Sequence, residues 1–383
     1  MEMRLLTITS GAGCTGATIS LLVLLKGLNS RGVKIMVIVP ENGYLCEELI
    51  KANIPFQVIP YRFSIWPSFL SLKEGIFSSL SFINSRKINH RATKKIAAII
   101  ELFRPDIIHT NTSVINIGYI LSRKYNIPHV WHIREYGDKD FDFNSYPSKA
   151  LLRHRLSSHS HAIAITNDLA RYYKLEKSGK VIYNGIQSKD DVYFDSCKRK
   201  TFLFVGRVTK SKGATDVVDA FIKFSCFDDK YTLDLIGHYG KRYRNRLMAK
   251  VKGTPAEGRV NFLGHRDDVI NQMKTAKALI VPSFHEGFGR ITAEAMFNGC
   301  LVIGRNTAGT KEQFDNGLRI AGREIGVRFT DVNSLADAIG YVSKLSDCEY
   351  SEMALMAQNV VQQLYSIEKN TELTYKFLSE IIK

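Results

Sequence analysis

What most limits the fold of this chain is a rhythm. Short, apolar, β-rich runs alternate with longer segments whose apolar residues recur at helical spacing. Leu5–Thr9, Lys34–Val39, Pro55–Ile59, Ile107–Thr110, Pro128–Ile133 and Ala162–Thr166 read as strands. Between them, Ala17–Leu28 sets Leu21, Leu24, Leu25 and Leu28 on one side, and Ile88–Phe103 does the same with Ile88, Ile96, Ile99 and Phe103. Such strands, separated by helices, predict a parallel sheet covered on both faces, the α/β class.

After Val181–Ile186 the rhythm breaks at the polar stretch QSKDDVYFDSCKRK, residues 187 to 200. It then restarts with strands expected at Phe202–Val205, Leu233–Ile236, Val260–Leu263, Ala278–Val281 and Leu301–Ile303, and helices between them. The expected organisation is a domain over 1–187, a linker over 188–200, a second domain over 201–364, and a helix over 365–383 returning to the first domain. The 383 residues are enough for two separate cores. Two Rossmann-like domains facing a cleft is the natural reading, with ligands beyond the carboxyl ends of the strands.

The formal net charge of +16 points to an anionic partner. The six cysteines, Cys14, Cys46, Cys197, Cys226, Cys300 and Cys348, are scattered with no C-x-x-C pair. That argues against a zinc site or a disulfide framework and suits a reducing cytoplasm. Met1-Glu2-Met3-Arg4 runs straight into the first strand, so no signal peptide is expected. No apolar run reaches the ~18 residues that a spanning helix needs.

The first strand leads into TSGAGCTGATIS, residues 9 to 20, in which Gly11, Gly13 and Gly16 match the G-x-G-x-x-G of dinucleotide sites. That fingerprint also needs an acid about 20 residues on, at the end of the second strand. Glu41 comes late and follows Pro40. An NAD(P)-dependent oxidoreductase therefore stands as the alternative rather than the first reading.

More informative is ALIVPSFHEGFGRITAEAMFNGCLVIG, residues 278 to 304. A strand ends near Pro282, a glycine-rich loop carries Glu286, and a helix follows with Glu294 expected in its first turn. A glycine loop feeding a helix N-terminus is an anion site, because free N–H groups and the helix dipole both favour a phosphate. An acid beside such a site serves as an acceptor for sugar hydroxyls. Alone, each acid would equally suit a solvated loop or a helix dipole.

Glu286 and Glu294, seven residues between them, resemble the E-x7-E signature of retaining family-4 (group 1) glycosyltransferases. The resemblance extends to FLFVGRVTKSKG (202–213), NFLGHRDDV (261–269), RPDIIHTNTS and IPHVWHIREYG, and is weakest between residues 61 and 100. It implies the GT-B fold, with the acceptor on the first domain and the nucleotide-sugar donor on the second. It implies that Glu294 holds the donor ribose and that Glu286 contacts the transferred sugar. Gly287 and the amides of Phe288 and Gly289 would help to hold the sugar and diphosphate. Arg207 and Lys212 match the basic pair on the diphosphate, which suits a guanidinium and a mobile ammonium. His132 matches the histidine that approaches the sugar. Arg134, Asn111 and His109 are expected on the same rim, with Gly11 and Gly13 letting the backbone approach the acceptor and the donor's sugar end. Glu312 is a further candidate cleft acid.

The expected activity is hexosyl transfer from a UDP- or GDP-sugar to a glycan or lipid-linked saccharide, in synthesis of a cell-surface polysaccharide such as lipopolysaccharide. The resemblance implies transfer with retention, and front-face attack is expected because no carboxylate is an obvious covalent nucleophile. A non-catalytic sugar-binding protein on the same fold is a further alternative. No cofactor and no metal are expected: Asp138, Asp140 and Asp142 have D-x-D spacing, but the basic pair already neutralises the diphosphate. Residues 61–95 mix Trp66, Phe69, Leu70, Ile76, Phe77 and Phe82 with Arg62, Lys73, Arg86, Lys87, Arg91, Lys94 and Lys95, opposed only by Glu74. That mix suits an anionic membrane surface, and no stacking motif for nucleic acid accompanies it. The expected location is therefore the cytoplasmic face of a membrane, bound peripherally.

Overall fold

A computed structural model describes residues 2–66, 72–158 and 160–382, with the side chains of the third helix described from residue 81. The chain divides into two compact units. One is Met1–Gly185 with Ile367–Lys383, and the other is Ile186–Ser366.

The first unit opens with β1 (Arg4–Thr9), α1 (Gly16–Ser30), β2 (Lys34–Val39), α2 (Tyr44–Lys51), β3 (Phe56–Val58), β4 (Ile65–Trp66) and α3 (Leu72–Phe103). It continues through β5 (Ile107–Asn111), α4 (Ile117–Tyr125), β6 (His129–Ile133), α5 (Asp138–Phe141), β7 (Asn144–Ser145) and α6 (Lys149–Ser158). Then come β8 (His161–Ala164), α7 (Asn167–Tyr173) and β9 (Gly179–Val181). Among the described residues its main sheet runs β3-β2-β1-β5-β6-β8-β9, and neighbouring strands are parallel. Side chains alternate across it. Leu5, Ile107 and Val130 pack with the leucines of α1, while Leu6, Ile8 and Ile108 pack with Ile96 and Ile100 of α3 and Leu121 of α4.

The second unit contains β10 (Arg199–Val205), α8 (Ala214–Phe224), β11 (Thr232–Ile236), α9 (Lys241–Val251), β12 (Val260–Gly264) and α10 (Val269–Thr275). It goes on through β13 (Ala276–Val281), α11 (Arg290–Phe297), β14 (Leu301–Arg305), α12 (Ala308–Ala321) and β15 (Val327–Phe329). It closes with α13 (Val332–Lys344) and α14 (Asp347–Tyr365). Its parallel sheet runs β12-β11-β10-β13-β14-β15 around Phe202, Phe204, Ile280 and Ile303. The helix α15 (Ile367–Ile381) belongs to the first unit and packs on α1, where Gly27 is tight against Thr371.

Several local expectations shift. The helix expected from Ile88 begins at Leu72. The polar linker stretch already enters β10 at Arg199. The side chains of Lys73, Glu74, Ile76 and Phe77, and all of Phe69 and Leu70, lie outside the described residues. Trp66 and Phe82, read as membrane-facing aromatics, stack on each other with centroids 5.0 Å apart and planes 20° from parallel, and Tyr146 packs edge-on against both. Arg86, Lys87, His90, Arg91, Lys94 and Lys95 stay exposed along α3.

Candidate active site

In the second unit, the loop between β13 and α11 is braced by α12. The Gly309 N–H donates to the Glu286 carbonyl at 2.9 Å. A Cβ on Gly309 would come 2.4 Å from the Phe288 carbonyl oxygen, so only glycine fits there. Gln313 Nε2 donates to the carbonyls of Phe288 at 2.6 Å and Gly289 at 3.1 Å. Carbonyl and N–H point in opposite directions across a trans peptide. Holding those two carbonyls therefore directs the N–H groups of Gly289 and Arg290 away from Gln313, at the positive end of α11. Gly289, with φ of +79°, takes the left-handed turn that starts the helix. Phe288 is buried and meets Tyr365 edge-on at 5.2 Å.

Lys212 lies just before Gly213, the N-cap of α8, and Arg207 is exposed just after β10. Because the sheet is parallel, both sit at the same carboxyl edge as the Glu286 loop. Lys212 Nζ is 2.7 Å from Glu286 Oε1, a half-buried ion pair between residues 74 apart in sequence. The structure thus brings together Lys212, Glu286 and the Phe288–Gly289 turn.

Glu294 departs from expectation. The helix starts at Arg290, so Glu294 is past the first turn, and its carboxylate pairs with Arg290 Nη2 at 3.0 Å, one turn back. Glu312 is a buried residue of α12 rather than an open cleft acid. Its neighbour Gln313 is the residue that shapes the loop. Arg305, also missed, donates to the Pro282 carbonyl at 2.8 Å and the Thr330 carbonyl at 2.7 Å, and pairs with Asp216 of α8. It ties the start of the Glu286 loop to the helix beside Lys212. No signal in the sequence marks these three contacts, because each joins segments that are distant along the chain.

In the first unit, Asn111 and His132 are cross-strand partners at the ends of β5 and β6. Expected on a rim, they and Arg134 are instead buried at the carboxyl edge. Arg134 Nε donates to Asn111 Oδ1 at 2.5 Å and its Nη1 to Asn184 Oδ1 at 2.6 Å. His132 Nδ1 lies 3.3 Å from His109 Nε2 and 3.5 Å from Arg134 Nη2, while His109 Nδ1 lies 3.3 Å from Thr7 Oγ1. A guanidinium only donates. His132 Nδ1 therefore accepts, which assigns the ring proton to Nε2. Burial and the Arg134 charge push His109 down to about 3 and hold His132 well below its ordinary range, so both rings are neutral near pH 7. Among the described residues, His132 Nε2 and Asn111 Nδ2 are buried without a hydrogen-bond partner. Each such donor costs about 1–3 kcal/mol, and a polar ligand would satisfy both.

Glu135 accepts from Ser113 N–H at 2.6 Å and from its hydroxyl at 2.7 Å, yet burial pushes its carboxyl up to about 7. A Cβ at Gly11 or Gly13 would enter open space, so neither glycine is explained by packing. That leaves the backbone after β1 open to close approach. Asp138 pairs with Lys149 and Tyr172, and Asp140 accepts from the N–H groups of Tyr136 and Gly137, so two of the three acids in D-x-D spacing have partners within the protein.

Residues 188–358 match the family "Glycosyl transferases group 1", and residues 15–189 match "Glycosyltransferase Family 4". The two matches adjoin and together run from residue 15 to residue 358. This chain is a group 1 glycosyltransferase. The glycosyltransferase is similar to an uncharacterised glycosyltransferase of Methanocaldococcus jannaschii, 27% identical over 243 residues, which cover 62% of this chain and 64% of that one. It is also similar to the N-acetyl-alpha-D-glucosaminyl L-malate synthase of Bacillus anthracis, 28% identical over 219 residues, 54% of this chain and 55% of the synthase. Both matches span less than two thirds of the relative's length. Among solved structures, Anabaena HepE in complex with UDP-glucose aligns with a TM-score of 0.76 at 20% identity, over 99% of this chain and all of that one. That likeness carries the fold, which is GT-B. Family membership displaces the oxidoreductase alternative raised by the glycine turn.

Proposed function

We propose that this glycosyltransferase moves a hexose, with retention, from a nucleoside-diphosphate donor to a glycan or lipid-linked saccharide in cell-surface polysaccharide synthesis. The observation that carries the reading is the Lys212–Glu286 pair beside the Phe288–Gly289 turn. It puts a mobile cation, a carboxylate and a helix N-terminus at one edge of one sheet. Lys212, Arg207 and the turn amides would hold the diphosphate as negative charge builds on it. Glu286 would contact the transferred sugar, and Glu294 the ribose, on exchanging its Arg290 partner for a hydroxyl. In the first unit the neutral His132 offers an N–H to a saccharide, with Arg134, Asn111, Gly11 and Gly13 on the acceptor side.

No glutamate here is assigned as a nucleophile. The acceptor hydroxyl attacks as the diphosphate leaves, and a donor phosphate oxygen takes its proton. No metal is required, so chelation should leave the rate unchanged. UDP as the leaving group is favoured by the UDP-glucose in the Anabaena homologue, and GDP remains the second candidate. The exposed basic row of α3 supports attachment to anionic lipid.

Thermal shift with UDP, GDP and NAD tests the donor class: stabilisation by a nucleoside diphosphate and none by NAD is expected. Lys212→Ala should abolish that shift and lower transfer by about 100-fold or more, the scale of removing one preorganised charge partner. Glu286→Ala should lower transfer similarly; full transfer by it would remove Glu286 from the site, and no transfer by the unmodified chain with any donor would favour a binding protein. An inverted anomer by NMR would sink the front-face mechanism.

A further inference from the structure

Loops leaving the carboxyl edge of the first unit's sheet build a cavity of about 410 Å³, lined by Trp66, Tyr136, Asp138, Phe143, Ser145 and Lys149. Small-molecule sites span ~300–1,000 Å³. One wall is the antiparallel ladder of β4 and β7, where Trp66 pairs with Asn144. This ladder is anchored to the segment after β5: the Ser64 N–H donates to the Val114 carbonyl at 2.7 Å, and Asn116 Nδ2 to the Tyr146 carbonyl at 3.2 Å. The Trp66 indole is itself fixed, by the Phe82 stack and by its N–H donating to the Pro147 carbonyl at 2.8 Å. Even so, 43% of Trp66 stays exposed. The cavity also holds an ion pair, Lys149 Nζ to Asp138 Oδ2 at 2.7 Å.

A rigid, open indole in a small cavity with a carboxylate and an ammonium has the chemistry of a pyranose site. The C–H face of the sugar ring covers the indole, while ring hydroxyls donate to Asp138 and accept from Lys149. An anionic ligand is disfavoured, because Asp138 already neutralises Lys149. A lipid chain is disfavoured too, because it would take water from both charges and return no hydrogen bond. Tyr136 lies two residues beyond Arg134, so the cavity opens on the sheet edge where open α/β folds bind ligands.

We propose that this cavity is a saccharide subsite that seats a neutral pyranose of the acceptor on Trp66, with Asp138 and Lys149 reading its hydroxyls. The assignment of that sugar as acceptor rests on the function proposed above.

The chain has two tryptophans, and the other, Trp131, is fully buried. A change in intrinsic fluorescence on adding a ligand to this cavity is therefore assigned to Trp66. Titration with the methyl glycosides of glucose, galactose, mannose and N-acetylglucosamine should give a saturable change with at least one of them, and Trp66→Phe should remove it. Lys149→Met should raise the half-saturating concentration about tenfold, the loss of one hydrogen bond to a charged group, with circular dichroism reporting its fold. No change with any glycoside, a change that survives Trp66→Phe, or a change with lysolipid alone overturns the proposal. The nucleoside-diphosphate thermal shift, read on the same protein, separates the two readings. A shift without a saccharide signal keeps the donor reading and rejects the cavity, and the reverse result keeps the cavity and rejects the donor.

Discussion

At the scale of single residues, the Glu286 loop depends on groups that lie on a neighbouring helix, α12. Gly309 is one. An added methyl would press on the Phe288 backbone carbonyl rather than on a flexible side chain, so the loop must move. Gly309→Ala should destabilise the protein by about 1–3 kcal/mol, the usual cost of overpacking, and should weaken nucleoside-diphosphate binding more than Tm alone explains. Isothermal titration beside a melting curve checks this, and unchanged affinity would count against the bracing role of α12. In the sequence Gly309 and Gln313 belong to NTAGTKEQF, a polar stretch after a strand that does not by itself mark a helix. Glu312 is the acid of that stretch, yet the amide of Gln313 beside it holds the loop. Lys212 and Glu286 were each legible, because each follows a strand end with glycines nearby. Their pairing was not legible, since it depends on which strands lie side by side.

At the scale of elements, α3 carries its charge in the open while one of its aromatics packs on a neighbour. The basic residues at 86, 87, 91, 94 and 95 remain exposed on it. The aromatics at 66 and 82 stack on each other, and Trp66 keeps 43% of its surface exposed. If α3 meets anionic lipid, each lysine or arginine near the surface contributes about 1 kcal/mol. The triple change Arg91→Gln, Lys94→Gln, Lys95→Gln should then lower binding to phosphatidylserine vesicles by roughly 100-fold in flotation. Raised salt should do the same to the unmodified chain, through screening. Binding insensitive to both would reject the membrane role. No helix among the described residues is long and apolar enough to cross a bilayer.

At the scale of the whole molecule, the histidines on the first unit's sheet set its response to acid. Burial holds His109 and His129 at about 3, against an ordinary 6.5, and pulls His132 in the same direction. Below pH 6.5 the unfolded chain binds protons that the folded chain refuses, so stability falls by up to about 1.4 kcal/mol per pH unit for each such group. Glu135 works the other way. Its folded value of about 7 lies above the ordinary 4.5, so its contribution is full below pH 4.5 and is lost as pH rises through 7. Between pH 6.5 and 4.5 three histidines oppose one carboxyl. The urea midpoint should therefore drop on acidification, less steeply in His129→Gln, and a midpoint that holds or rises would contradict this assignment. The sequence by itself determined the two parallel α/β units, because hydrophobic period and glycine turns are local and sheet-independent. It also located most candidate site residues, because in such folds they follow strand ends. Only the tertiary structure decided that Lys212 meets Glu286, that Glu294 leans back on Arg290, that His132 is a buried neutral ring, and that Trp66 opens a cavity. Ion pairs, proton affinities and cavities depend on distance and burial in space, which residues far apart along the chain set jointly.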